Sequence, residues 1–219
     1  MDKFIDRQDA GIVLAEYLND YANRPNVMVL ALPRGGVPVA YEVAIALSIP
    51  LDVFIVRKLG VPGYEELAMG AIASGDTVIF NKPLMNQLNL DQASVDAVLQ
   101  SEQDELVRRE RLYRGNRSFP ALLGKTVILV DDGIATGASM QAAVAALRKY
   151  KPASIIIAVP VAARETCEEM AKIVDRIICP LKPINFYAVG LWYENFSQVS
   201  DGEVIALLEK SNSREKVSR

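Results

Sequence analysis

A strand, a glycine-bearing loop and a helix follow one another within Thr126–Lys149, and this order limits the fold more than any other feature. The apolar run Val127–Val130 is rich in β-branched residues, which suits a strand covered on both faces of a sheet. The helix is predicted over Ala142–Lys149. Because a strand that leads through a short loop into a helix is half of a βαβ unit, the sequence predicts an α/β fold with a parallel sheet.

The loop after this strand carries groups that suit a sugar phosphate. Asp131 and Asp132 can accept hydrogen bonds from sugar hydroxyls or face Mg²⁺, whose preferred ligands are oxygens. The first N–H groups of the following helix lie at its positive end and favour an anion. Gly137 lets the backbone approach a phosphate, and Thr136 and Ser139 supply hydroxyl donors. The alternative interpretation is a strand end with an acidic N-cap and a plain turn.

The residues V-I-L-V-D-D-G-I-A-T-G-A-S resemble the phosphoribosyl pyrophosphate (PRPP) binding loop of the type I phosphoribosyltransferases. They depart from it at Gly133, where a branched aliphatic residue is usual. The resemblance implies a twisted parallel sheet with helices on both faces, a lid hairpin and a small C-terminal hood. It also implies that Asp131 and Asp132 are catalytic residues that hold the ribose hydroxyls. The 5′-phosphate is then expected on Ala135, Thr136, Gly137, Ala138 and Ser139.

Mg²⁺ is the cofactor that the resemblance implies. The ion is expected to arrive with the substrate, and Asp131 and Asp132 are its candidate protein ligands.

A second glycine-bearing loop follows the first predicted strand, Val27–Leu32. Adjacent glycines at Gly35 and Gly36 allow unusual backbone angles and expose N–H groups to an anion. Arg34 adds a fixed cation with a fork of donors. By resemblance this loop binds the pyrophosphate, and Arg34 is a catalytic residue. The alternative is an ordinary turn with a surface arginine.

Two further cations, Arg57 and Lys58, follow the second predicted strand, Leu51–Val56. At the end of that strand they would point toward the same crevice and form a second pyrophosphate clamp. The resemblance favours Lys58 over Arg57 for the ligand contact and makes Lys58 a catalytic candidate. A solvated basic pair is the alternative.

The lid is expected at residues 60–82. Strands at Leu67–Ala73 and Thr77–Phe80, joined around Ser74–Asp76, give a hairpin signal. In the family a mobile hairpin closes over the substrate here, and its candidate residues are Tyr64, Glu65 and Glu66. They are alternatively polar loop residues with no such role.

The hood is expected at residues 180–204, where aromatic residues are dense. Phe186, Trp192 and Tyr193 are candidates for stacking on a nucleobase, because an aromatic ring suits its flat π-face. They are equally interpretable as core residues. At Trp192 this chain lacks the acid that 6-oxopurine enzymes carry in this segment. Ala135 stands where those enzymes have an aspartate and resembles the adenine and uracil types. The segment Val189–Tyr193 loosely resembles the 6-oxopurine enzymes instead, so the acceptor stays open.

At 219 residues the chain is predicted to form one domain over residues 1–210, with a flexible tail at residues 211–219. A long helix is predicted over Leu90–Arg114, with apolar positions at helical spacing. It can pack on the sheet or line a homodimer contact, and the pattern leaves both open.

Charge and apolar runs limit the classes of partner. The net charge of −3 gives no reason to expect a basic surface for nucleic acid. The apolar run Ile155–Ala163 is too short to span a bilayer, and the first residues contain no signal-peptide segment. We therefore expect a cytoplasmic protein that binds neither nucleic acid nor a membrane.

The residue types also exclude several mechanisms. The chain contains no histidine, which excludes hydrolases that use an imidazole base. Cys167 and Cys179 have no nearby histidine or cysteine, so reduced, partly buried thiols are expected and not a zinc site.

These features predict transfer of ribose 5-phosphate from PRPP to a nitrogenous acceptor, expected to be a nucleobase, with release of pyrophosphate. A protein that senses PRPP or a nucleotide without catalysis would share the same loops. Half of a PRPP synthetase-like fold is a weaker alternative, because the chain is short and shows no duplicated domain.

Overall fold

The computed structural model describes residues 3–217, and the side chains of residues 3–214. The helices are α1 Arg7–Glu16, α2 Gly36–Leu47, α3 Lys82–Gln87, α4 Gln92–Arg114, α5 Ala138–Lys149, α6 Arg164–Met170 and α7 Asp201–Val217. The strands are β1 Val27–Ala31, β2 Leu51–Val53, β3 Val56–Val61, β4 Tyr64–Ala73, β5 Thr77–Phe80, β6 Thr126–Val130, β7 Ser154–Ala158 and β8 Arg176–Ile178. Short 3-10 turns lie at Asn19–Tyr21 and Val189–Trp192.

Five strands form a parallel sheet in the order β2-β1-β6-β7-β8. The two central strands run side by side, from the pair Val27 and Thr126 to the pair Ala31 and Val130. The central strands are almost wholly apolar because both faces of the sheet are covered.

Alternate residues of each strand enter two different cores. Val29 and Ile128 pack in a core with residues of α1, α2 and α7. Their neighbours Leu30 and Leu129 face the opposite way, into a core with residues of α5 and α6. Because side chains alternate along a strand, this division places helices on both faces of the sheet. The predicted parallel α/β fold is confirmed.

The lid region belongs to a separate antiparallel sheet in the order β3-β4-β5. The expected hairpin is present, with Ala73 opposite Thr77, and β4 begins earlier than predicted, at Tyr64. The third strand, β3, pairs with β4 from Val56 opposite Ala73. The long helix α4 packs on this sheet and on α7, and its buried residues include Leu106.

The predicted second strand is wrong at its end. β2 stops at Val53, and the chain leaves the parallel sheet, where the Phe54 N–H donates to the Ala31 carbonyl at 2.9 Å. The next residues pair with β4, so Arg57 and Lys58 lie inside an antiparallel strand. They do not end a strand of the parallel sheet.

The C-terminal region also differs from the prediction. Helix α7 runs from Asp201 to Val217, so the last residues of the expected hood and most of the expected tail are helical. Ser211 is buried, because α7 packs its inner face against α2 and the core. Residues 218–219 of the expected tail lie outside the described residues.

No helix within residues 3–217 is long and apolar enough to cross a membrane.

Candidate active site

Two loops meet at the carboxyl ends of the central strands. The glycine loop, residues 33–36, follows β1, and the acidic loop, residues 131–137, follows β6. The Leu32 N–H donates to the Val130 carbonyl at 2.9 Å, which keeps the chains paired where they leave the sheet. The carboxyl ends of neighbouring parallel strands lie at one edge, where open α/β sheets bind ligands. The structure thus brings the two loops into one cleft.

Glycines permit this approach. A Cβ atom on Gly35 would collide with the carboxylate of Asp132. A Cβ atom on Gly36 would lie 2.7 Å from the Val130 carbonyl oxygen and 2.9 Å from the Cα of Asp131. Any larger residue at either position would push the two loops apart.

The two carboxyl groups belong to adjacent residues and are largely buried. Asp131 Oδ1 accepts a hydrogen bond from the Asp132 N–H at 2.8 Å. Burial raises the pKa of Asp131, and the negative charge of Asp132 raises it further. Burial also raises the pKa of Asp132, while the hydrogen bond and charge of Arg7 oppose that shift. Each acid is therefore costly to ionise unless a cation lies beside it.

Arg7, the first residue of α1, supplies that cation. Its Nε donates to Asp132 Oδ2 at 2.8 Å, and only 11% and 14% of the two side chains are exposed. No function was predicted for this arginine from the sequence, because the contact joins residues 125 positions apart. No local pattern signals it.

The end of the acidic loop that leads into α5 contacts α6. Gly137 has a φ of +80°, and a Cβ atom there would lie 2.9 Å from the Met170 Cε atom. Thr166 Oγ1 donates to the Ala135 carbonyl at 2.9 Å. The sequence does not predict Thr166 as a site residue, because its contact with Ala135 joins residues 31 positions apart.

The side chains that were predicted to bind the phosphate face outward. Ala135, Thr136, Ala138 and Ser139 are exposed, and Gly137 precedes the first residue of α5. The hydroxyl groups of Thr136 and Ser139 therefore belong to exposed residues on either side of the start of α5.

The hood contacts the acidic loop at Gly133. A Cβ atom on Gly133 would lie 2.6 Å from Val189 Cγ1 and 3.1 Å from Val161 Cγ1. The hydroxyl of Tyr193 donates to the Asp132 carbonyl. The departure from the usual branched residue thus has a physical cause, since Val189 of the hood fills that space.

Comparison with known proteins agrees with this geometry. The chain matches the family described as the phosphoribosyl transferase domain over residues 7–193. It belongs to this family. A Mycobacterium tuberculosis (strain H37Rv) protein, provisionally named phosphoribosyl transferase Rv0571c, is 43% identical over 212 residues, which are 97% of this chain and 48% of that protein. The chain spans about half the length of the curated relatives it matches.

The protein TT1426 from Thermus thermophilus, known from a crystal structure, is 39% identical in sequence to this chain. The two superpose with a TM-score of 0.84, over 95% of this chain and 98% of that one. AQ2163 from Aquifex aeolicus shares the fold at 15% identity and a TM-score of 0.50, over 84% of this chain and 78% of its own. The type I phosphoribosyltransferase fold expected from the sequence is confirmed.

Arg34 lies half-exposed beside the start of α7. Its Nη1 is 3.8 Å from Asp201 Oδ1, and 39% and 41% of the two side chains are exposed. The Tyr113 hydroxyl donates to the same Asp201 oxygen. Burial and that hydrogen bond raise the pKa of Tyr113 to about 12. An exposed, long ion pair contributes little, so Arg34 can leave Asp201 for an anion at small cost.

Arg57 and Lys58 are engaged elsewhere in the phosphoribosyltransferase domain. Arg57 Nε donates to Glu102 Oε2 of α4 at 2.6 Å. Lys58 Nζ lies 3.2 Å from the Glu66 carbonyl oxygen and 3.7 Å from Glu66 Oε2. Both line a cavity of about 620 Å³ between the lid and α4, whose lining includes none of the residues of the two loops. The second clamp predicted beside Arg34 is therefore not assembled here.

The lid candidates Tyr64, Glu65 and Glu66 are exposed at the start of β4. Tyr64 is 74% exposed. This position is compatible with a lid, whose closure stays a prediction.

The aromatic candidates of the hood differ in exposure. Tyr193 is buried, and its ring centroid lies 5.6 Å from that of Phe4 and 5.0 Å from that of Phe196. The buried position of Tyr193 does not fit the predicted stacking on a nucleobase, because neighbouring rings already pack against its ring. Phe186 and Trp192 are partly buried against the same cluster. Trp192 Nε1 is a buried donor without a partner among residues 3–214.

Proposed function

We propose that this chain transfers ribose 5-phosphate from PRPP to a nitrogenous acceptor with release of pyrophosphate. Membership of the phosphoribosyltransferase family supports a PRPP-utilising transferase. The observation that carries the proposal is the close approach of the glycine loop to the paired acids, which Gly35 and Gly36 alone permit. One cleft then holds groups for phosphates and for a sugar.

The 5′-phosphate binds at the start of α5. The first N–H groups of a helix carry partial positive charge and accept an anion. Gly137 gives the backbone its positive φ, and the exposed hydroxyls of Thr136 and Ser139 add donors. The bond between Thr166 and the Ala135 carbonyl keeps this segment fixed.

The acids act on the ribose. When the bond at the anomeric carbon breaks, the sugar becomes cation-like, and nearby carboxylates stabilise that charge. Asp131 and Asp132 hold the ribose hydroxyls and present this charge. Burial of these carboxylates strengthens the effect, because the local dielectric constant is lower than that of water.

The departing pyrophosphate binds on the glycine loop. The amides of Gly35 and Gly36 and the guanidinium of Arg34 face it, and Arg34 exchanges its long contact with Asp201 for the phosphate oxygens. Arg57 and Lys58 reach the pyrophosphate only when the lid closes over the cleft, which also excludes water.

Mg²⁺ fits this site as a partner of the substrate. Within the described residues, no group of three or more acidic, cysteine or histidine side chains could hold a metal ion alone. Asp131 and Asp132 each have one oxygen that accepts a hydrogen bond, and each keeps a second carboxylate oxygen for a ligand. Mg²⁺ keeps several waters and binds through one or two carboxylates and substrate phosphates. When bound, it neutralises charge on the leaving pyrophosphate.

The acceptor is a nucleobase-like ring. Phe186 and Trp192 provide aromatic surface in the hood. Ala135 lacks the carboxylate that faces the base in 6-oxopurine enzymes, so the adenine and uracil types are the first acceptors to test. No histidine is present to act as the base for the acceptor nitrogen.

A panel of nucleobases incubated with PRPP and Mg²⁺, scored by pyrophosphate release, tests this function. Release should depend on one acceptor and should fall by about 100-fold or more in Asp131→Asn and Asp132→Asn. Asp20→Asn, at an exposed position outside the cleft, should keep the wild-type rate. Activity that survives both acid variants would contradict their roles. Saturable PRPP binding without turnover of any acceptor would favour the non-catalytic sensor.

A further inference from the structure

We propose that Arg7 is a positioning residue that fixes the orientation of Asp132 and ties the hood to the acidic loop. The inference rests on the proposed function, because Asp132 is given a role toward the ribose there. It concerns a residue of the first helix, far from both loops in the sequence.

Three contacts spread the guanidinium of Arg7 across two parts of the chain. Its Nε donates to Asp132 Oδ2 at 2.8 Å. Its Nη1 donates to the Ser197 carbonyl at 2.7 Å. Its Cζ lies 3.9 Å from the centroid of the Phe196 ring, within the range of a cation–π contact. One planar group therefore joins the acidic loop to the hood.

The stability of α1 does not explain this arginine. A positive side chain in the first turn of a helix is opposed by the helix dipole, and acids are preferred there. The backbone position is nevertheless fixed, since Asp6 caps the helix by accepting from the Asp9 N–H at 2.9 Å. Gly11 also lets α1 lie so close to α2 that a Cβ atom would meet the Val39 carbonyl oxygen at 2.6 Å.

The ion pair is also built to be rigid. A buried ion pair is stabilised only when its geometry is good and further hydrogen bonds are present. The pair of Arg7 and Asp132 is buried, and Arg7 makes a second hydrogen bond. With Oδ2 held by Arg7, Asp132 presents its other oxygen to a bound sugar. The planar fork of arginine makes two directed bonds at once, which a lysine ammonium cannot reproduce with the same spacing.

Losing Arg7 should affect the chemical step more than binding. PRPP is held mainly by its phosphates, whereas Asp132 acts as charge develops on the ribose. Arg7→Met, which keeps a long side chain without charge, should lower kcat by about 100-fold, because misplacing a catalytic group by about 1 Å costs that much. The KM for PRPP should change less than about threefold. Arg7→Lys should restore part of kcat.

The single tryptophan of the chain gives a readout that needs no turnover. Trp192 lies in the hood, and its carbonyl accepts a hydrogen bond from the Phe4 N–H at 2.9 Å. If Arg7 ties the hood down, acrylamide should quench Trp192 fluorescence faster in Arg7→Met and in Arg7→Lys. Arg176→Met, at a half-exposed arginine of β8, is the matched control and should keep wild-type quenching and kcat.

The outcomes separate this proposal from the proposed function. If the wild-type chain turns over no acceptor, the proposed function fails, while quenching of Trp192 fluorescence still tests whether Arg7 ties the hood to the acidic loop. Wild-type quenching in both Arg7 variants, or a wild-type kcat in Arg7→Met, would overturn it. If Arg7→Met does not fold, Arg7→Lys keeps the charge and decides the question through the same two measurements.

Discussion

At the scale of single residues, the fold buries two acids of the cleft although burial disfavours their charged forms. Asp131 has little access to water and has Asp132 beside it, and both conditions raise its pKa. Arg7 compensates Asp132 by direct contact at 2.8 Å, whereas Asp131 receives only the more distant charge of Arg7. Such an unfavourable pKa shift is expected where a charged group binds a ligand and does not stabilise the fold.

Asp131→Asn should therefore stabilise the folded chain at neutral and higher pH. A carboxyl whose folded pKa is raised destabilises the fold once pH exceeds the unfolded value, and the penalty is complete above the folded pKa. The amide oxygen still accepts from the Asp132 N–H, so the loop keeps its shape. The gain should be about 1.4 kcal/mol for each unit of pKa shift at pH 8, and much smaller at pH 4.

Urea unfolding at the two pH values measures this gain. Asp20→Asn, at an exposed acid, is the control and should leave the free energy of unfolding nearly unchanged at both. An equal effect of Asp131→Asn at pH 8 and pH 4 would show that burial of charge is not the cause.

The parts of the site differ in how far the sequence predicts them. The strand, loop and helix after Thr126 are local patterns, and neighbouring strands then bring Arg34, Gly35 and Gly36 to the same edge. The charged pair Arg57 and Lys58 was interpreted as a strand end, because its pairing with β4 is not visible in local periodicity. Arg7 was missed since its partner is 125 residues away.

At the scale of elements, the hood and the acidic loop pack as one unit. Val189 occupies the space over Gly133, and Tyr193 donates to the Asp132 carbonyl. The bridge between Phe4 and Tyr193 adds the N-terminal segment to the same unit. A substitution in the hood should therefore also affect the acidic loop, and a substitution in the loop should affect the hood.

Gly133→Val tests this coupling. The new side chain would meet Val189 and Val161, so overpacking should destabilise the chain by about 1–3 kcal/mol and raise the KM for PRPP. Adding Val189→Ala to Gly133→Val removes part of the clash. The double variant should regain part of the lost stability and part of the lost affinity for PRPP, seen as a lower KM. Thermal unfolding and initial rates measure the double-mutant cycle.

Gly202→Ala is the matched control, because the nearest atom to its added Cβ lies 3.9 Å away. It should leave stability and KM near wild type. Simple additivity of Gly133→Val and Val189→Ala would argue against contact between the hood and the loop.

At the scale of the whole molecule, the parallel sheet carries the cleft. The hood and the lid differ in how they contact it. The hood is joined to the acidic loop by Arg7, Val189 and Tyr193. The base of the lid is fixed, because Leu59 and Met69 are buried in the core and the Tyr150 hydroxyl donates to the Ser74 carbonyl. The tip of the lid, residues 63–67, is exposed. The free energy needed to move the tip of the lid should therefore be smaller than that needed to move the hood.

Hydrogen exchange with and without PRPP and Mg²⁺ should show this difference. Amides of the lid should exchange more slowly when the ligands are present, because closure buries an exposed strand pair. Amides of hood residues 186–197 should change little, since their ties exist before any ligand binds. Met85→Leu in the short helix α3 is a conservative control that should keep both patterns. Equal protection of lid and hood would mean that both close together, and slower exchange of the hood alone would assign closure to it.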